Sequence, residues 1–167
     1  MRVRRELTLV TADERLWLDQ HVAEVIRLKL QMHRMFDAVG GRTACAECDG
    51  ACCERGQQHM TLVEVLTALL REIELPSPEA DATCPFLTRQ GCSLSPEMRP
   101  FNCVTFNCEQ IEDCFNAEQQ YLFYALEKQL RELYAEFEVR YVGASLRGLV
   151  IRAERLGEAR LLARPPV

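Results

Sequence analysis

Apolar residues recur at steps of three and four along two long stretches of the chain, and this spacing predicts two long amphipathic helices. The first helix follows a capping-box sequence at residues 11–14 and ends before Gly40 and Gly41, because glycine readily adopts the left-handed cap. The second follows a similar box at residues 116–119. The predicted buried positions of the two helices are Leu18, Val22, Val25, Leu28, Met32, Met35, Val39, Leu122, Leu126, Leu130, Leu133 and Phe137.

Two shorter helices are predicted by the same signals. A capping box at residues 61–64 opens a helix whose apolar positions continue to Ile73. A last helix is predicted over residues 145–156, with Leu149 and Val150 among its inward positions. Helices therefore lie on both sides of the middle of the chain.

Outside the helix predicted from residue 61 to Ile73, the middle of the chain lacks such periodicity. A single helical turn is predicted after residues 95–96, where serine precedes proline, and short extended pieces are predicted near residues 58–60 and 85–87. The length is that of one domain of ordinary size. The sequence thus predicts one mainly α domain over residues 1–167, with an irregular cysteine-rich segment at 45–108.

Cysteine is the residue type that distinguishes this middle segment. The chain has nine cysteines, and eight of them fall in three tight groups. These eight are Cys45, Cys48, Cys52, Cys53, Cys84, Cys92, Cys103 and Cys108. Cysteines this dense form disulfides, bind metal or carry out redox chemistry.

The compartment decides between these uses of cysteine. The first ten residues carry positive charge but no apolar run of signal-peptide length, and the apolar runs of the chain are far shorter than a membrane span. We therefore expect a cytoplasmic protein without a membrane partner, in a compartment that keeps thiols reduced. The odd number of cysteines also disfavours a simple disulfide framework. Metal binding is the favoured reading.

The cysteine spacing suits more than one kind of metal centre. Cys45 and Cys48 form a chelating pair, because two intervening residues let both sulfurs turn onto one ion. The adjacent Cys52 and Cys53 diverge, so they serve two centres unless one is a spare. Eight thiols suit two four-sulfur sites for zinc or iron, or one 4Fe-4S cluster with the other thiols structural or redox active. Metal is expected to stabilise residues 42–108 more than the flanking helices.

A series of short motifs runs through about residues 45–110. It consists of Cys45-Ala-Glu-Cys-Asp-Gly-Ala-Cys-Cys53, Thr61 to Glu64, Cys84-Pro-Phe-Leu87, Gly91-Cys92-Ser-Leu94, Arg99-Pro100 and Cys103. This series resembles the YkgJ-type family, described as a zinc- or iron-chelating domain with a C-x2-C-x2-C-C signature; the flagellin lysine N-methylases carry a related cluster. Here three residues, not two, precede the Cys-Cys pair, and Ser95 stands where the family has tyrosine. The resemblance implies metal binding, with a methylase-like enzyme as the alternative.

Charge bounds the possible partners. The formal net charge of −5 makes the chain a poor general binder of nucleic acid or anionic lipid. Residues 140–164 nevertheless contain six arginines and two acidic residues, either as a solvated helix face or as a docking patch for an acidic protein partner. The sequence lacks a recognisable catalytic constellation or phosphate loop. We therefore expect a binding or scaffold protein rather than an enzyme, with an iron–sulfur redox protein as a further alternative.

Four more side chains have an expected role. Cys114 lies outside the series and is expected to be a buried, inert thiol. His33 is expected to face solvent, and His59 to have a surface or capping role rather than to bind metal. Arg99 is expected to hydrogen-bond to the cluster loops or to a carboxylate, because anionic thiolate sites attract a guanidinium.

Overall fold

The computed structural model describes residues 2–48, 53, 60–77 and 84–165, and 64% of the structure is helix and 3% strand. The predicted mainly α fold class is confirmed. The elements are α1 (Arg2–Leu7), α2 (Ala12–Ala38), α3 (Gly41–Glu47), α4 (Leu62–Leu70), β1 (Leu87–Thr88), β2 (Gly91–Cys92), a 3₁₀ turn (Pro96–Met98), α5 (Phe101–Thr105), α6 (Glu109–Glu112), α7 (Ala117–Arg140) and α8 (Leu149–Leu156). None of the helices in these ranges is long and apolar enough to cross a membrane.

The core is built mainly where α2 packs against α7. The predicted positions that are buried on these two helices are Leu18, Val22, Val25, Leu28, Met32, Leu126, Leu130 and Phe137. The prediction for Leu122 is wrong, because its side chain is 43% exposed. Phe123 and Tyr134 are buried on α7 instead. The buried face of α7 therefore includes Phe123 and Tyr134, whose aromatic side chains bury more apolar area than leucine does.

The last helix is shorter than the sequence predicts. It begins at Leu149, and the predicted inward residue Val150 is 70% exposed. A turn precedes the helix, in which the Gly148 amide donates to the Ser145 carbonyl at 3.2 Å. The Leu149 amide then donates to the carbonyl of Met60 at 2.7 Å. This bond fixes where α8 begins, and a tertiary contact of this kind leaves no local pattern in the sequence.

Only one of the two hydrogen bonds of a capping box forms at the start of α2. The Thr11 hydroxyl accepts the amide of Glu14 at 3.2 Å, as predicted, whereas the boxes of α4 and α7 are reciprocal. The Glu14 carboxylate instead accepts hydrogen bonds from Arg140 at 2.8 Å, from Arg164 at 2.9 Å and from the Tyr141 hydroxyl. The hydrogen bond from Arg140 is the largest cause that lowers the pKa of Glu14 to about 2. Glu14 therefore ties the start of α2 to the end of α7.

Replacing Glu14 with Gln is expected to lower the free energy of unfolding at pH 7 by about 1–3 kcal/mol, because the amide loses charge-assisted hydrogen bonds. The pKa of Glu14 is lowered by folding, so its contribution is complete above about pH 5 and is lost as the pH falls toward 2. Urea unfolding at pH 7 and near pH 2.5 measures the effect. The exposed Glu132→Gln should change little at either pH. A Glu14→Gln effect that is the same at both pH values would contradict this account.

Candidate metal centre

A cavity of about 920 Å³ is lined by both long helices and by the cysteine-bearing segments. Met32 and Phe36 of α2 and Tyr124 of α7 are among its walls. The predicted ligands that line it are Cys45, Cys53, Cys84, Cys92, Cys103 and Cys108. The fold thus brings cysteines that are far apart in the sequence to one concavity.

The β1–β2 hairpin places Cys84 and Cys92. Leu87 is paired with Cys92 across the two antiparallel strands, and the Leu87 amide donates to the Cys84 carbonyl at 3.0 Å. The tight turn between the strands is closed by the Thr88 hydroxyl, which donates to the carbonyl of Gly91 at 2.8 Å. Gly91 has φ +96°, a conformation that other residues rarely adopt. The extended piece predicted near 85–87 overlaps β1 only at Leu87, because residues 85–86 form a turn, and the hairpin brings two cysteines to the cavity wall.

Two short helices place Cys103 and Cys108. The Cys103 amide donates to the Pro100 carbonyl at 2.9 Å in the first turn of α5, and Cys108 is the N-cap of α6. Cys103 is an exposed residue, but protein atoms crowd its thiol. This desolvation, reinforced by the charge of Cys92 and then Cys84, raises the pKa of Cys103 to about 12. Charge on Cys92 and Cys84 disfavours a Cys103 thiolate, so a nearby cation would favour the thiolate forms.

The helix α3, which carries Cys45, is not predicted from the sequence. Gly40 has φ +78° and lets the chain leave α2 and start α3 at once. A Cβ at Gly41 would lie 2.5 Å from the ring of Phe36, so a larger residue there would have to displace that ring. α3 packs against β2 and α6, and Cys45 reaches the cavity wall from it. Cys48 is the C-cap of α3 and is not part of that wall.

A fully buried ion pair supports the backbone that leads to Cys103. The Lys29 ammonium lies 2.8 Å from Oε1 of Glu64, and both side chains are 0% exposed. The same ammonium donates to the carbonyl oxygens of Glu97 at 3.3 Å and Arg99 at 2.8 Å. Lys29 therefore holds the 3₁₀ turn against α2 and α4, and α5 starts directly after this anchored turn.

Glu64 receives hydrogen bonds on both carboxylate oxygens. The Thr61 amide and hydroxyl donate to Oε2 at 2.8 and 2.7 Å, and the Tyr134 hydroxyl donates to Oε1. Burial alone would raise the pKa of Glu64, but the Lys29 charge and these hydrogen bonds outweigh it and lower the pKa. Burial and the Glu64 charge raise the pKa of Tyr134, which stays a neutral donor. From the sequence Glu64 is predicted only as a cap. The sequence signal that could have indicated a buried counter-charge is the position of Lys29 within the apolar stripe of α2.

His33 is a cavity residue, and the prediction that it faces solvent is wrong. Its side chain is 10% exposed and lines the cavity, because it lies four residues after Lys29 and so on the same side of α2. Arg99 donates to Nδ1 of His33 at 3.3 Å. Burial, followed by the charge of Arg99, lowers the pKa of His33, so the neutral ring accepts this bond. Arg99 also donates to the Leu94 carbonyl at 3.3 Å, which confirms its predicted bond to a cluster loop.

Cys114 is also placed differently from the prediction. It is exposed rather than buried, because it lies in the turn after α6, where its thiol donates to the Gln110 carbonyl at 3.2 Å. Cys52 and His59 lie outside the described residues.

The described cysteines have the right donor atoms for a metal centre, but they are not grouped closely enough to form one by themselves. Cys84, Cys92 and Cys103 are free thiols, which are suitable ligands for zinc and iron. Within the ranges that the structure describes, no three Cys, His, Asp or Glu side chains are grouped closely enough to hold a metal ion. The donor set therefore suits thiolate ligation, but these residues alone do not assemble a complete ligand shell.

No family model, curated protein or solved structure matches the chain. The resemblance to the YkgJ-type family accordingly rests on the short sequence motifs alone. The function of this cavity has to be argued from its own side chains.

Proposed function

We propose that the chain is a cytoplasmic cysteine-cluster protein that binds zinc or iron, including iron as a 4Fe-4S cluster. The observation that carries the proposal is the convergence of six cysteines on one cavity. Thiolates are favoured ligands of both zinc and iron–sulfur clusters. The proposed ligands are Cys45, Cys48, Cys52, Cys53, Cys84, Cys92, Cys103 and Cys108.

The surrounding residues have distinct roles in this proposal. A bound zinc ion supplies structural stability, and an iron–sulfur cluster also supplies a one-electron redox centre. Lys29 fixes the backbone that leads to Cys103, and the hairpin holds Cys84 and Cys92 at the wall. Arg99 lines the cavity, and its positive charge offsets the negative charge of thiolates. The proposed role is structural, redox or metal handling.

Elemental analysis of protein purified without oxygen is expected to find zinc or iron. Cys103→Ser is expected to lose about one ion or cluster per chain, because a hydroxyl is a poor ligand where a soft thiolate is needed. Cys114→Ser is the matched control, since this exposed thiol lies outside the cavity. It should keep the metal content and the visible absorbance of the wild type. A metal-free wild-type protein, or equal loss in both variants, would contradict the proposal.

The size of the cavity favours a second candidate, an enzyme built on the cluster in the manner of the flagellin lysine N-methylases. A volume of about 920 Å³ exceeds what one metal centre fills and falls in the roughly 300–1,000 Å³ range of small-molecule sites. Phe86, Phe106 and Arg131 line the cavity, which gives an organic cosubstrate both apolar and charged contacts. The test is transfer of a labelled methyl group from S-adenosylmethionine to a lysine-containing protein. Transfer that Cys103→Ser abolishes and Cys114→Ser retains would favour this enzyme.

A further inference from the structure

The six arginines between residues 140 and 164 fall into different electrostatic situations. Arg140 and Arg164 are ion-paired with Glu14 at 2.8 and 2.9 Å, so their charge is compensated within the chain. Three others share a pocket of about 180 Å³. This pocket is lined by Ser145, Arg147, Ile151, Arg152 and Arg155.

The pocket keeps its positive charge. Guanidinium groups stay protonated throughout the physiological pH range. Within the part of the chain that the structure describes, Arg147, Arg152 and Arg155 form no ion pair with a carboxylate. Arg152 donates to the carbonyl of Val142 at 2.5 Å, which fixes its guanidinium without neutralising it. Three like charges in one small concavity are most stable when an anion lies between them.

The backbone around the pocket is held in place by hydrogen bonds. The Ser145 hydroxyl accepts the Arg147 amide at 3.2 Å, and the Leu149 amide is bound to the Met60 carbonyl at 2.7 Å. Ile151 and Arg152 lie in the first half of the eight-residue helix α8, and Arg155 lies in its last turn. The backbone and Arg152 are therefore held in place at the pocket, while Arg147 and Arg155 reach it as exposed side chains.

We propose that this pocket binds a phosphate group. Three guanidinium groups match a dianionic phosphate better than a single carboxylate, and each can donate two N–H bonds to adjacent oxygens. A volume of about 180 Å³ admits one such group and not an extended phosphate backbone, which the net charge of −5 would also repel. The group comes either from inorganic phosphate or from a phosphorylated small molecule. The site does not depend on the metal centre.

Isothermal titration of the full chain with inorganic phosphate at low ionic strength is expected to show saturable binding. Arg147→Gln/Arg155→Gln should weaken it by about 100-fold or more, because two charge-assisted contacts are lost. Both side chains are exposed, so the fold should be retained, and far-UV circular dichroism and thermal melting check this. Arg34→Gln/Arg89→Gln removes the same charge at exposed positions outside the pocket and should bind like the wild type.

Each remaining outcome bears on the proposal. Equal weakening in the two double variants would reveal an effect of net charge alone and would overturn it, as would folded wild-type protein without saturable binding. Acetate at matched ionic strength is the carboxylate comparison. If acetate competes as well as phosphate, the pocket recognises carboxylates, such as those of an acidic protein partner, and the phosphate assignment is wrong. Tighter binding of phenyl phosphate than of inorganic phosphate would identify a phosphomonoester as the source, and weaker binding the free ion.

Discussion

Replacing Glu64 with Gln is expected to lower the free energy of unfolding by about 3–5 kcal/mol, because it leaves the Lys29 ammonium buried without a counter-charge. Glutamine fills the same volume and can still accept the Thr61 amide as the third residue of a capping box, so the effect reports on charge rather than on shape. Lys29→Met should have an effect of similar size, since the carboxylate then lacks its ammonium. Urea unfolding followed by far-UV circular dichroism measures both variants.

The double variant Lys29→Met/Glu64→Gln distinguishes a charge effect from a packing effect. It should be less destabilised than the sum of the single variants by about 2 kcal/mol or more, because no buried charge remains. The exposed pair of Arg27 and Glu24 is the matched control, with side chains 49% and 44% exposed. Arg27→Met should change the free energy of unfolding by less than about 1 kcal/mol. Additive single effects, or buried variants no worse than Arg27→Met, would contradict the role assigned to this pair.

Removing the proposed metal with a chelator is expected to speed amide hydrogen exchange about 100-fold or more in residues 41–48, 84–93 and 102–108, while α2 and α7 stay protected. Structural zinc contributes on the order of 10 kcal/mol of binding free energy in small peptides. The three ranges have few fully buried apolar side chains that could replace this contribution, whereas the two long helices carry a continuous buried stripe.

Residues 94–101 provide an internal reference for that experiment. Leu94, Met98 and Phe101 are at most 4% exposed, and Lys29 binds two carbonyls of the same segment, so it should stay protected with and without metal. Mass spectrometry of peptides from wild-type protein and from Cys114→Ser should give the same pattern for both. If all ranges open together, or none does, the metal does not stabilise the cysteine segments selectively.

The helices that could be predicted from the sequence are those whose signals are local. α4 and α7 begin where reciprocal capping boxes indicate, and the stripe of α2 continues to a glycine pair. α3 has no side-chain cap, and Gly41 at its start lies close to the ring of Phe36. The start of α8 depends on a hydrogen bond between Leu149 and Met60. Long-range contacts of this kind leave no periodic trace along the chain.

The candidate site could be predicted as a group of cysteines but not as an arrangement. Thiols this dense are a compositional signal, so the segment is evident before any fold is known. Which thiols share a wall depends on how α3, the hairpin and α5 pack, and Cys48 does not line the cavity. Helical periodicity predicts which face of α2 is buried, but it does not predict that His33 lines a cavity. A lysine within an apolar stripe is the local sign of a buried counter-charge.

The buried network also constrains how this sequence can change over evolutionary time. Lys29, Glu64 and Tyr134 lie on three different helices and share one set of hydrogen bonds. A chain that has lost only one of the two charges is destabilised by several kcal/mol. This is a large part of the free energy of unfolding of a whole domain, which is roughly 5–15 kcal/mol. Related chains are therefore expected to keep both charges or to have lost them together. Such paired substitution on two helices far apart in the sequence would mark distant relatives of this fold even where the cysteines themselves have been lost.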